Sequence, residues 1–554
     1  MIANRLFRRT AGVLAAGAAA LVLVTACSAG SETSSGGAGA PQPNQNGSTA
    51  RDSAGKEFKP GGSPAIDPAA LAAPSDYMVR SAMLALRVKS IAGLAAAWEL
   101  TQRLPGERVV VLDASDRPGG KLRLQRVAGT LIDVGAESML ARRPEGLALV
   151  EEIGAGALLT HPVTTAAGVW SRGSLHPLPQ GTLMGIPGDP GSAHGVLTDD
   201  EVARAADERP WPAGGLETDV AVGDYVGARL GRAVVDRLVE PLLGGVYAGH
   251  ADRLSLQACV PGLFEVARSG GSLTAAARAA AEAGAANTSP VFAGLVGGMG
   301  RLPELLCAGL RVRGVQIRSG VIARELHARP RGGWAVVTGP RPDPQTLEAD
   351  AVVLAVPAAP ASRLLRAHAP AAAEELSVVE YASMAIITLA VAKEGLGELP
   401  GSGFLVPPVD GRGIKASTFT SAKWEWAASA SDEAYFLRAS VGRAGEEADL
   451  QRPDHDLVAL AVREVGEALG RPLTRVVDAH VKRWGGGLPQ YAVGHVERIA
   501  RVQAATQALP GLGLAGAAYA GVGIPACVAS GRAAAEAVAT HLTAVPRGGG
   551  EWGP

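Results

Sequence analysis

Residues 90–121, SIAGLAAAWELTQRLPGERVVVLDASDRPGGK, restrict the fold of this chain more than any other stretch. Ile91-Ala92-Gly93-Leu94-Ala95-Ala96-Ala97 makes a small-residue helix start, Pro105-Gly106 a turn, and Val109-Val110-Val111-Leu112 an apolar strand ending on Asp113. Helix, turn and acid-terminated strand are the second half of a βαβ dinucleotide unit. In such a unit the helix N-terminus receives pyrophosphate, and an acid about 20 residues past the last glycine takes a ribose hydroxyl. Ala92, Gly93, Asp113 and Ala114 are therefore expected cofactor residues. Arg117, Gly119-Gly120 and Lys121 suit a second pass along the same phosphates. The pattern G-x-G-x-x-G is incomplete, because positions 88, 90 and 93 hold Val88, Ser90 and Gly93. The first glycine normally makes the tight turn and the second lets backbone approach phosphate, so both substitutions crowd the site.

The head of the chain has a different character. Arg5, Arg8 and Arg9 precede an apolar run over residues 11–25, and Val24-Thr25-Ala26-Cys27 resembles a bacterial lipobox with Cys27 as the lipidated residue. An uncleaved anchor is the alternative, although the 17 uncharged residues 10–26 are short for a spanning helix. Residues 28–76 are rich in Ser, Gly, Pro and Asn and are expected to be a disordered tether. Residues 78–88, MVRSAMLALRV, read as a strand that could occupy the first position of the sheet, with Arg87 at the sheet's edge. A net charge of −1 gives no reason to expect a nucleic-acid partner. The four cysteines lack metal-ligand spacing, and Cys259, Cys307 and Cys527 sit in apolar contexts as reduced core thiols. No metal site is expected.

Further motifs follow. Asp133-Val134-Gly135-Ala136-Glu137-Ser138 is a strand end with a glycine turn. Arg142 and Arg143 stand at a helix start, where acids would suit the dipole better. They are either a solvated pair or a grip for an anion. LHPLPQG at 175–181 and Met184-Gly185-Ile186-Pro187 form a rigid apolar wall, in which His176 reads as structural. A helical region starts near residue 199, with Asp219 placed to cap a helix over 220–226. LVEPLLGGVYAG at 238–249 should break a helix at its prolines and glycines. Strands are expected at 315–318, 321–323, 334–337 and 349–357. Lys415 and Lys423 read as solvated, with steering of an anion as the alternative. Trp484 lies in RWGGGLPQY, and Val522-Gly523-Ile524 opens a final helix whose N–H groups could hold an anionic ring edge.

Taken together, these runs resemble the oxygen-dependent porphyrinogen oxidases of haem synthesis, within the flavin amine-oxidase superfamily. The resemblance covers roughly residues 91–542. It implies an α/β (α+β) fold with a discontinuous Rossmann-like FAD-binding domain at 77–140, 287–360 and 485–545. A mixed-sheet substrate domain would occupy 141–190 and 361–484, and an inserted helical domain 191–286. FAD would be held by Gly135, Ala136, Glu137, Ser138, Ala323, Trp484, Val522, Gly523 and Ile524 besides the residues above. Arg143 would grip a propionate, and Met184, Gly185 and Ile186 would flank the tetrapyrrole. The implied reaction converts coproporphyrinogen III to coproporphyrin III, with O2 as acceptor and no protein general base. Protoporphyrinogen IX is the alternative substrate. A second alternative is another flavin oxidase of the superfamily, and a third is a non-enzymatic lipid-anchored protein with a disabled flavin site. Relatives touch membranes peripherally through the helical region, so the body is expected in the cytoplasm at a membrane. The head points instead to the outer face of the membrane, anchored through Cys27. The oligomeric state is not encoded in any of these motifs.

Overall fold

The computed structural model describes residues 83–88, as backbone, and 90–544. Cys27, the tether and the signal-like head lie outside the described residues.

Five parallel strands form the central sheet, in the order Gln316–Arg318, Arg108–Asp113, Met83–Val88, Ala351–Ala355, Leu512–Leu514. The strand expected over 78–88 forms over Met83–Val88 and takes the central place. Arg87 pairs with Leu112 on one side and Leu354 on the other, so it is not on an edge strand. Alternate residues of the strands go to opposite faces. Val109, Val111 and Val353 pack with helices Ile91–Arg103 and Ile524–Ala544. Val110, Leu112, Val352 and Leu354 pack on the other face with Trp334 and helices Ala358–Leu365 and Pro370–Ser377. Both faces are covered, which is why these strands read as unbroken apolar runs.

The second large sheet has seven strands, in the order Val476–Pro489, Tyr381–Ala392, Ala434–Val441, Ile414–Phe419, Gly403–Leu405, Gly168–Ser171, Ser174–Pro177. It is antiparallel except where Gly403–Leu405 runs parallel to Gly168–Ser171. Ala385, Ile387 and Leu389 face helix Asp454–Leu469. Ala382, Met384 and Ile386 face the helical region instead.

Several local expectations change. Residues 321–323 are not a strand; the strand there is Glu325–Ala328. Helix Val222–Leu230 has Ala221 at its N-cap and no side-chain cap. Asp219 instead accepts from Ser255 Oγ (2.6 Å), Gln257 N (3.1 Å) and Gly494 N (2.9 Å), tying the helical region to the chain near its end. The 238–249 run does not break at Pro241. Pro241 lies in the first turn of Glu240–Tyr247, directly after a π-helical turn at Val235–Val239, and the helix stops only at left-handed Ala248. Proline is tolerated in a first turn, where its missing N–H has no acceptor to lose. Among the described residues, no helix is long and apolar enough to cross a membrane.

Candidate functional site

The carboxyl end of the central sheet and two helix N-termini meet at one place. Asp113 is fully buried at the end of its strand, in register with Val88, and its Oδ1 accepts from Ser115 N at 2.8 Å. Gly320 N and Val321 N bond to the carbonyls of Ser115 (2.8 Å) and Asp113 (2.9 Å), bringing Ala323 alongside this strand end and Ala114. Helix Ile91–Arg103 begins with Ala92 and Gly93 buried, no acid in its first turn, and a Ser90 side chain that does not cap it. The Ser90 Oγ is buried without a partner among the described residues. Ser90 has φ −158°, an extended conformation open to any residue, so the loss of glycine here does not strain the backbone.

Helix Ile524–Ala544 packs across the first turn of that helix. A Cβ on Gly531 would lie 2.1 Å from the Ala92 carbonyl oxygen, so the crossing is closed to any larger residue. The N–H groups of Val522, Gly523 and Ile524 make no hydrogen bond among the described residues, and the first turn of this helix carries no acid. Burial pushes the Cys527 thiol up to about 11, against the nearby charges of Lys121 and Arg143, so these three side chains share one neighbourhood. Arg143 is the N-cap residue of helix Pro144–Glu152 and pairs with Glu145 at 2.8 Å. Arg142 instead donates to the Asn287 carbonyl at 3.0 Å.

The 133–138 turn is held from three sides. Ala136 N donates to Lys121 O at 3.2 Å, and a Cβ on Gly135 would fall 1.8 Å from that oxygen. Trp484 Nε1 donates to Val134 O at 2.9 Å. Glu137 is buried between Lys423 Nζ (2.7 Å) and Arg438 (2.6 Å), and Arg438 also donates to Gly135 O at 2.5 Å. Burial opposes ionisation of Glu137, but the Lys423 and Arg438 charges outweigh it and hold the carboxyl at about 2. Ser138 is buried beside it. Lys415 and Lys423 are therefore not solvated lysines; both are buried. Glu137 spends its side chain on this ion triad, which fixes the turn, and only its backbone remains to face a cofactor.

The wall formed by Met184, Gly185 and Ile186 packs on the π-helical turn. Met184 adopts φ 49° and Gly185 φ 87°, and a Cβ on Gly185 would lie 2.5 Å from Leu238 O. Ile186 and Met184 belong to the apolar cluster that also holds Val134, Trp484, Val522 and Leu238. The expected substrate wall and the expected flavin residues thus share one core. Sequence reasoning missed Arg438, Arg443 and the true role of Lys423. The signal was faint: a cation alternating with apolar residues in a strand, as in Tyr435-Phe436-Leu437-Arg438-Ala439, reads equally well as a solvent-facing position.

These residues fit FAD. Two helix N-termini without acids can take pyrophosphate and an anionic ring edge, and the buried Asp113 stands at the ribose position. Fold and site define an FAD-dependent oxidoreductase.

The chain belongs to the flavin containing amine oxidoreductase family, which it matches over residues 91–539. Within that family it is 36% identical over 452 residues to the coproporphyrinogen III oxidase of Mycobacterium tuberculosis (strain ATCC 25618 / H37Rv), covering 80% of this chain and 94% of the relative. The coproporphyrinogen III oxidase of Bacillus subtilis (strain 168) is 30% identical over 468 residues, covering 82% and 97%. A solved structure from Exiguobacterium sp. 255-15, described as a candidate protoporphyrinogen oxidase, superposes with a TM-score of 0.72 at 33% identity, over 83% of this chain and 99% of that one.

Proposed function

We propose that this protein oxidises coproporphyrinogen III to coproporphyrin III. Each two-electron step removes two hydrogens from the macrocycle and passes them to O2 as hydrogen peroxide. The observation that carries this reading is the 36% identity across 94% of the Mycobacterium tuberculosis coproporphyrinogen III oxidase. FAD supplies the hydride-accepting chemistry when bound. The chain's own part is to bind, orient and exclude water. Helices Ile91–Arg103 and Ile524–Ala544 present their N-termini to the cofactor, the Glu137 triad keeps the 133–138 turn rigid, and Trp484 closes its side. Arg143 would hold a propionate while Met184, Gly185 and Ile186 line the macrocycle's flank. We assign no protein group as general base.

Protoporphyrinogen IX remains the second reading, favoured by 29% identity over 485 residues to the protoporphyrinogen oxidase of Macaca fascicularis. We place the catalytic body in the cytoplasm at a membrane face, with anchoring through Cys27 as the alternative. Protease accessibility in intact cells separates the two. The activity is tested by incubating purified, FAD-loaded protein aerobically with each porphyrinogen and following porphyrin fluorescence and peroxide. Faster turnover of coproporphyrinogen III is the expected result. Turnover of neither substrate by a yellow, flavin-replete protein would overturn the proposal.

A further inference from the structure

Four propionates distinguish coproporphyrinogen III from protoporphyrinogen IX, which has two, so a protein that prefers the former needs additional cations facing its substrate. Two buried cations, one on the seven-stranded sheet and one just past the end of its neighbouring strand, meet that need. Lys415 is 4% exposed and Arg443 3%. A register shift between Ile414 and Ala416 makes Lys415 the extra residue of a β-bulge opposite Ser440 and Val441. Bulges of this kind re-aim a side chain and occur preferentially beside active sites. The Lys415 ammonium reaches 3.9 Å from Met384 Sδ, and Met384 stands in register with Trp484 on the next strand. Lys415 therefore faces the same apolar cluster as Trp484 and Met184, not the helix-covered back of the sheet.

Arg443 follows the neighbouring strand and meets Lys415 around one residue. Val406 N donates to Lys415 O at 3.0 Å, and Arg443 donates to Val406 O at 3.2 Å. Glu446 lies 3.5 Å from Arg443, the Glu240 charge also acts on it, and its Nε is buried with no hydrogen bond among the described residues. Gly244, in helix Glu240–Tyr247, leaves space at that Nε: a Cβ on Gly244 would lie 3.7 Å from it. Burial lowers the Arg443 pKa and the Glu446 and Glu240 charges offset this only in part, so a further anion at its Nε is favoured.

We propose that Lys415 and Arg443 form a carboxylate-reading pair that binds substrate propionates and selects the tetracarboxylate macrocycle. This rests on the porphyrinogen reading above. The test compares wild-type holoenzyme with Lys415→Met, Arg443→Met and Arg443→Lys on coproporphyrinogen III and protoporphyrinogen IX. FAD content, thermal midpoint and the dissociation constant for coproporphyrin III are measured in parallel. The expected result for each methionine variant is a rise of about tenfold or more in KM for coproporphyrinogen III, with weaker coproporphyrin III binding. The ratio of kcat/KM between the two substrates should fall, and Arg443→Lys should recover part of the loss. An unchanged ratio in Lys415→Met, or equal loss on both substrates, would overturn the pair. If wild type turns over neither porphyrinogen, the functional reading fails, and coproporphyrin III binding alone still decides the pair: equal affinity in wild type and Lys415→Met overturns it.

Discussion

Lys423 Nζ lies 2.7 Å from Glu137 Oε1 across 286 residues of sequence, and both side chains are buried. This contact fastens the turn at 133–138 to the short helix Thr420–Lys423, and Arg438 fastens it to the seven-stranded sheet. Removing Glu137 leaves two buried cations without their shared anion. Glu137→Leu is expected to cost about 3–5 kcal/mol in denaturant unfolding and to weaken FAD retention. A loss below about 1 kcal/mol would show that the triad does not hold the turn.

The same triad sets a pH dependence. The folded-state pKa of Glu137 is lowered to about 2, below its ordinary value of 4.5. Its stabilisation is therefore fully present above the unfolded value and is lost as pH falls from about 4.5 towards 2. Glu137→Gln should show a shallower decline in unfolding midpoint across that acid window than wild type.

His250 gives the opposite sign. Its hydrogen bond to Glu240 (2.9 Å) raises its pKa, and its Nε2 lies 3.2 Å from Ala444 O, linking the helical region to the loop after strand Ala434–Val441. A raised folded pKa stabilises below the unfolded value of 6.5 and loses that contribution as pH rises through the folded one. His250→Gln should flatten the decline in thermal midpoint between neutral and mildly alkaline pH.

Gly531→Ala tests the crossing of helices Ile91–Arg103 and Ile524–Ala544. Its Cβ would meet the Ala92 carbonyl oxygen at 2.1 Å, and backbone cannot yield as a flexible side chain would. A loss of about 1–3 kcal/mol is expected, with FAD affinity falling as the first turn of Ile91–Arg103 shifts. A thermal midpoint within error of wild type would contradict the packing.

Glycine at positions 88 and 90 should strengthen FAD binding, read by titrating apoprotein with FAD and following flavin fluorescence. Ser90 already has an extended backbone, so any gain at that position comes from removing the side chain near phosphate, not from relieving strain. Unchanged affinity in Ser90→Gly would show that its hydroxyl is accommodated.

Much of the fold was legible because apolar runs and small-residue helix starts carry local periodicity. The strands at 108–113 and 351–355 and the opening helices follow from such patterns. Cations were not legible. Lys415 and Lys423 sit in a strand and a short helix whose local patterns suit solvent as well as core, and only the bulge and the partner Glu137 reveal their burial. Asp219 misled for a related reason, since an acid before a helix suggests a cap while the donors it accepts from are Ser255, Gln257 and Gly494.

By itself, the sequence determined the dinucleotide half-unit, the alternation of sheet and helical regions, and the likeness to porphyrinogen oxidases, because each is written in neighbouring residues. The tertiary structure alone decided which charges are buried, which partners they hold, and that Trp484, Met184 and Val522 share one core. The physical reason is that the energy of a charge depends on what surrounds it in space, and residues hundreds of positions apart supply those surroundings.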